Sequence, residues 1–103
     1  MQATLQAFTA RTVATAITRH APDTLEVIVC GGGVLNTGLM AMLANELPAC
    51  TLTTTAEYGV PVQQMEALAF AWLAQAHEHN TTGSLPEVTG AKAPRVLGCR
   101  HPA

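Results

Sequence analysis

Residues 25–33, LEVIVCGGG, join a β-branched apolar run to three consecutive glycines, and residues 34–47 then carry a helical pattern up to Pro48. A run this apolar suits a strand covered on both faces, the situation of a central strand in a parallel sheet. Asn36 stands where its side-chain oxygen can cap the helix, with Leu35 and Met40 as the apolar staple around it. Strand, glycine turn and helix together form the first half of a β–α–β crossover, so this stretch points to the α/β class.

The flanking segments extend that alternation. Leu5, Phe8, Thr9, Thr12, Val13, Ala16 and Ile17 recur at helical spacing and predict an amphipathic helix over residues 3–20, ending before Pro22. Cys50–Thr54 reads as a short second strand, and residues 56–60 as a loop leading to Pro61. A third helix over residues 61–79 is expected to bury Val62, Met65, Ala69, Trp72, Leu73 and Ala76. From Thr81 the chain is rich in Gly, Pro and Thr and reads as an ordered tail, with at most a short strand at residues 95–97.

The order helix, strand, helix, strand, helix predicts parallel pairing. Two strands make a narrower sheet than parallel folds use, so the chain is expected to be one part of a larger fold whose other strands lie upstream. An open sheet edge and apolar helix faces favour self-association, and a homo-oligomer is expected on that ground.

Composition narrows the function classes. With 49% hydrophobic and 12% charged residues among 103, the chain is far too apolar for disorder. A net charge of −2, with five Lys and Arg spread along the sequence, gives no footprint for nucleic acid or an anionic membrane surface. No apolar run approaches the roughly 18 residues of a membrane span, and MQATLQAFTAR lacks the order of a secretory signal, so a cytoplasmic location is expected.

Cys30, Cys50 and Cys99 have no CxxC spacing and read as small buried hydrophobes. His77 and His79, two apart, point to different sides of a helix, so they read with His101 as solvated residues rather than metal ligands. No metal site and no complete catalytic constellation is expected.

The glycines remain as the principal site. Gly31, Gly32 and Gly33 expose backbone N–H groups at the carboxyl end of a strand and remove the Cβ atoms that would hold a flat or anionic ligand away. A dinucleotide fingerprint does not fit, because Asn36 occupies the place of its third glycine, and a Walker A loop does not fit for want of Gly-Lys-Ser/Thr. Glu66 is a second candidate. Helical spacing puts its carboxylate at the edge of the apolar stripe in the second turn of the third helix, where a functional role and a favourable interaction with the helix N-terminus both remain open.

VIVCGGGVLNTGLMAMLANELP, YGVPVQQMEALAFAWLA and GSLPEVTGAKAPRVLG, in this order and followed by a closing proline, resemble the C-terminal part of anhydro-N-acetylmuramic acid kinases. The resemblance implies the actin and sugar-kinase superfamily, and thus a partial ribonuclease-H-like domain. Residues 1–103 would be the C-terminal segment of the second, nucleotide-binding domain. It implies ATP and Mg²⁺ as cofactors, and a reaction that opens the 1,6-anhydro ring of the amino sugar with water and phosphorylates it to N-acetylmuramic acid 6-phosphate, in bacterial cell-wall recycling.

Carried over residue by residue, Gly31, Gly32, Gly33 and Asn36 match the family's nucleotide-side motif, and Glu66 its sugar-side glutamate. The phosphate-binding loop and the aspartate proposed to activate water belong to the family's longer N-terminal portion. No catalytic residue is therefore expected in this stretch, and the stretch is expected to be inactive alone. The ending CRHPA also departs from the family in lacking an aromatic residue before the last proline.

Overall fold

The computed structural model describes residues 2–102. They divide into two compact units, one up to Met65 and one from Glu66.

The first unit is a parallel β–α–β arrangement preceded by a helix: α1 (Gln2–His20), β1 (Glu26–Val29), α2 (Thr37–Glu46) and β2 (Thr51–Thr54). The two strands pair in parallel, Glu26 with Thr51 through Val29 with Thr54. Helix α2 stops at Leu47, ahead of Pro48, as the proline requires.

The buried centre of this unit consists of Ala10 and Ala14 from α1 with Leu43 and Leu47, and Ile17, Val27, Val29, Leu39, Met42, Cys50 and Leu52 pack around them. The stripe of α1 that faces the core is therefore built on alanines. Leu5, expected inward, is 64% exposed and Phe8 71% exposed. Of the expected stripe only Ile17 joins the core. The small side chains of Ala10 and Ala14, one turn apart, let α1 come close to α2, and that contact selects the buried face over side-chain size.

The sheet also differs from expectation. Val27 and Val29 turn toward the helices, while Glu26 and Ile28 point away, and Ile28 is 48% exposed. Among the described residues of this unit, the helices cover one face of β1. Its apolar run suits two covered faces, but α1 and α2 lie on the same side, against Val27, Val29 and Leu52.

In the second unit, α3 (Met65–Glu78) begins four residues later than expected, because residues 62–64 form a turn after Pro61. Ala76 is buried and Leu73 half-buried, as expected; Ala69 is exposed, and Trp72 is exposed together with Leu68 and Phe70.

The tail returns along α3. Gly83 accepts the close approach of Leu73 and Leu97, whose methyl carbons would lie 3.0 and 3.4 Å from a Cβ built at this position. The Gly83 N–H donates to the Arg95 carbonyl at 3.0 Å, and the Arg95 N–H to Ser84 Oγ at 2.8 Å. No strand forms at residues 95–97. Pro94 has no N–H to offer, and Gly98 turns to a φ of 90°, so pairing does not propagate beyond one backbone bond.

A short helix, α4 (Pro86–Thr89), occupies the segment expected to lack one. Its signals are in the sequence: Pro86 in the first turn, Glu87 beside it, and Gly90 in the left-handed conformation behind it. Among the described residues no helix is long and apolar enough to cross a membrane.

Candidate nucleotide-side glycine turn

The glycines leave β1 at its carboxyl end. Gly31 has φ 82° and ψ −177°, a combination open essentially to glycine alone. Its N–H donates to the Val62 carbonyl at 2.7 Å. Gly32 then begins a 3₁₀ turn that runs to Leu35, so the strand does not pass directly into α2.

The three glycines have different physical grounds. Gly31 is required by its backbone conformation. Gly32 has an ordinary φ, and at both Gly31 and Gly32 a built Cβ meets no atom of the described residues, chain neighbours aside, within 4 Å. Gly33 faces only Leu39 Cδ2, at 3.7 Å. The surface over the turn is open. Of the three amides Gly31 is engaged by Val62, and among the described residues those of Gly32 and Gly33 have no acceptor.

Asn36 caps α2 as expected, its Oδ1 accepting from the Leu39 N–H at 3.1 Å. The same oxygen accepts from Gln6 Nε2 at 3.0 Å, which ties α1 to the cap. Among the described residues the side-chain amide nitrogen of Asn36 has no hydrogen-bond partner. Leu35 is exposed and does not close over the cap as the staple pattern suggests.

Thr55 follows β2 directly and was not marked by any sequence pattern. It is 5% exposed, and its hydroxyl has no hydrogen-bond partner among the described residues. It lies one residue beyond the Val29–Thr54 pair, at the same carboxyl end of the sheet as the glycines. A buried hydroxyl without a partner is rare and costly. Only structure shows it, because hydrogen bonding cannot be counted from a threonine in a β-branched run.

Glu66 belongs to the second unit, exposed in the first turn of α3 rather than in its second. Gly31, Gly32, Gly33 and Asn36 are thus the predicted site residues that one unit brings together.

The sulfur and imidazole expectations change in part. Cys30 and Cys99 are exposed rather than buried, and Cys50, half-buried, donates to the Thr24 carbonyl at 3.2 Å. His77 is more than a solvated residue at a helix end, since Nδ1 lies 3.0 Å from the Leu97 carbonyl and pins the tail. Cys99 Sγ lies 3.0 Å from His101 Nε2 on the surface. Among the described residues no three His, Cys, Asp or Glu side chains gather to hold a metal.

The family model of anhydro-N-acetylmuramic acid kinase matches residues 1–103. A protein of that name from Bordetella petrii is 56% identical over 103 residues, which is 100% of this chain and 27% of the relative. Relatives of the same name from Cupriavidus metallidurans and Chromobacterium violaceum are 47% and 48% identical over 102 residues, 99% of this chain and 27% and 28% of their own lengths. The chain thus spans little more than a quarter of the relatives it matches. These matches fix how much is shared, and they do not bear out the C-terminal placement implied by the motifs. With one family model running its full length and half its residues shared with these kinases, the chain belongs to the anhydro-N-acetylmuramic acid kinase family.

Proposed function

We propose that this chain forms part of the nucleotide-binding half of an ATP-dependent kinase that opens 1,6-anhydro-N-acetylmuramic acid with water and phosphorylates it to N-acetylmuramic acid 6-phosphate. The relatives are named kinases, that is, phosphotransferases. One observation carries the local reading: at the carboxyl end of a parallel strand, Gly31 and Gly32 present bare main chain with nothing within 4 Å of a built Cβ. Open main chain leaves room for adenosine and phosphates to approach, and the Gly32 and Gly33 amides, without an acceptor among the described residues, suit an anion.

Gly31, Gly32, Gly33 and Asn36 would hold the nucleotide, and Glu66 would meet the amino sugar. No Mg²⁺ ligand and no catalytic base is assigned to these residues. Phosphoryl transfer rests on positioning and preorganised charge around the transferring group, together with a base for the attacking water. The chain alone would bind without turning over.

Calorimetric titration with MgATP tests this. Wild type is expected to bind, and Gly32→Leu, which occludes the turn without straining it, to bind at least about tenfold more weakly with an unchanged melting temperature. No heat at millimolar nucleotide would overturn the reading.

A second reading, a non-catalytic self-associating module, is favoured by the exposure of Ile28 on the uncovered sheet face and of Leu68, Phe70 and Trp72 on α3. Homo-oligomers are expected in either case. Light scattering on size-fractionated protein checks this, and a stable monomer would rule it out.

A further inference from the structure

The face of the sheet opposite α1 and α2 carries a polar cluster that the nucleotide reading does not use. Glu26 opens β1, and its carboxylate accepts from Thr53 Oγ1 of β2 at 2.9 Å. It also accepts from the Tyr58 hydroxyl, at 2.8 Å to Oε1 and 2.7 Å to Oε2. Tyr58 ends the 3₁₀ turn Thr55–Tyr58 that follows β2 and is closed by Gly59 in the left-handed conformation. The chain then runs through Val60 and Pro61 to Val62, whose carbonyl receives the Gly31 N–H. The loop is held by Tyr58 on the start of β1 and by Val62 on the glycine turn at its end, and between them the Val60 N–H donates to the Thr55 carbonyl at 3.0 Å.

We propose that Tyr58 and Glu26 are positioning residues, a surface latch that holds the loop of residues 59–62 so that the Val62 carbonyl fixes the Gly31 conformation. The alternative role, plain stabilisation of the sheet, would not single out Gly31. Hydrogen bonds to a charged acceptor are the stronger kind, and here two hydroxyls share one carboxylate on an open face. The consequence for nucleotide binding rests on the proposed function above; the latch itself does not.

Two readouts test the latch in the full chain. The first is amide hydrogen exchange. Tyr58→Phe keeps the exposed ring and deletes the hydroxyl, and it is expected to speed exchange at the Gly31 amide by about tenfold. The Leu47 amide, bonded to the Leu43 carbonyl in the core, should keep its protection, which shows that the variant is folded.

The second readout is spectroscopic. Tyr58 is the sole tyrosine, so phenolate absorbance reports it directly. The hydrogen bond to Glu26, then slight desolvation and the negative charges of Glu26 and Glu57, hold the phenol above its ordinary 10.0. The latch is therefore intact below pH 10.0 and is lost as pH rises through the folded-state value. Glu26→Gln removes the charge and is expected to return the midpoint toward 10.0.

Equal Gly31 exchange in wild type and Tyr58→Phe would overturn the inference, as would a midpoint unmoved by Glu26→Gln. Faster Gly31 exchange in Tyr58→Phe with no MgATP binding by wild type would support the latch and sink the nucleotide reading. Faster exchange with MgATP binding weakened several-fold would support both.

Discussion

Leu43→Ala is expected to destabilise the first unit by about 2–5 kcal/mol, seen as a large drop in the urea midpoint of the helical signal. Leu43 is 5% exposed, at the centre of a core whose α1 contribution is two alanines. Those alanines cannot expand into the space a leucine vacates, so the cavity stays open. A small domain has only about 5–15 kcal/mol in total, and this one change removes a large share of it. The control is Phe8→Ala, which deletes a larger side chain from the exposed side of the same helix pair. It is expected to stay within about 0.5 kcal/mol of wild type. A Phe8→Ala cost equal to that of Leu43→Ala would mean that α1 buries the face its large side chains suggest, not the face built on Ala10 and Ala14.

The glycine turn yields the second large difference. Gly31→Ala is expected to cost about 1–3 kcal/mol, because a Cβ is strained at φ 82° and ψ −177° however open the space around it. Gly32→Ala is expected to be neutral or stabilising by about 0.4–1 kcal/mol, since its φ is ordinary and alanine narrows the unfolded ensemble. Denaturation of the two variants side by side separates backbone strain from ligand access. Equal stability of Gly31→Ala and wild type would show that the conformation at Gly31 is not enforced. The split also explains the choice of Gly32 for nucleotide titration, where a side chain changes access without unfolding the turn.

Much of the first unit was legible in local chemistry. Asn36 caps α2, Pro48 follows its end, and Val27, Val29 and Leu52 lie in a parallel pair as their β-branched and apolar character suggests. These features depend on neighbours a few residues apart. The face of α1 was not legible, because Leu5 and Phe8 outweigh Ala10 and Ala14 in any count of apolar positions, and only the approach of α2 reverses the ranking. The Gly31–Val62 bond joins residues 31 apart along the chain, Tyr58 to Glu26 spans 32, and neither leaves a mark in local spacing.

The sequence by itself determined the α/β class and the presence of bare main chain at the end of β1, because proline and β-branched residues restrict backbone torsions wherever they stand and glycine frees them, and its ordered motifs carried the family. Tertiary structure alone decided that Gly31 is held by Val62, that Asn36 Oδ1 also accepts from Gln6, and that, among the described residues, the Gly32 and Gly33 amides have no acceptor and the buried Thr55 hydroxyl has no partner. Which polar groups remain available to a ligand is settled by contacts between residues distant in the chain, and residue identity cannot carry that information.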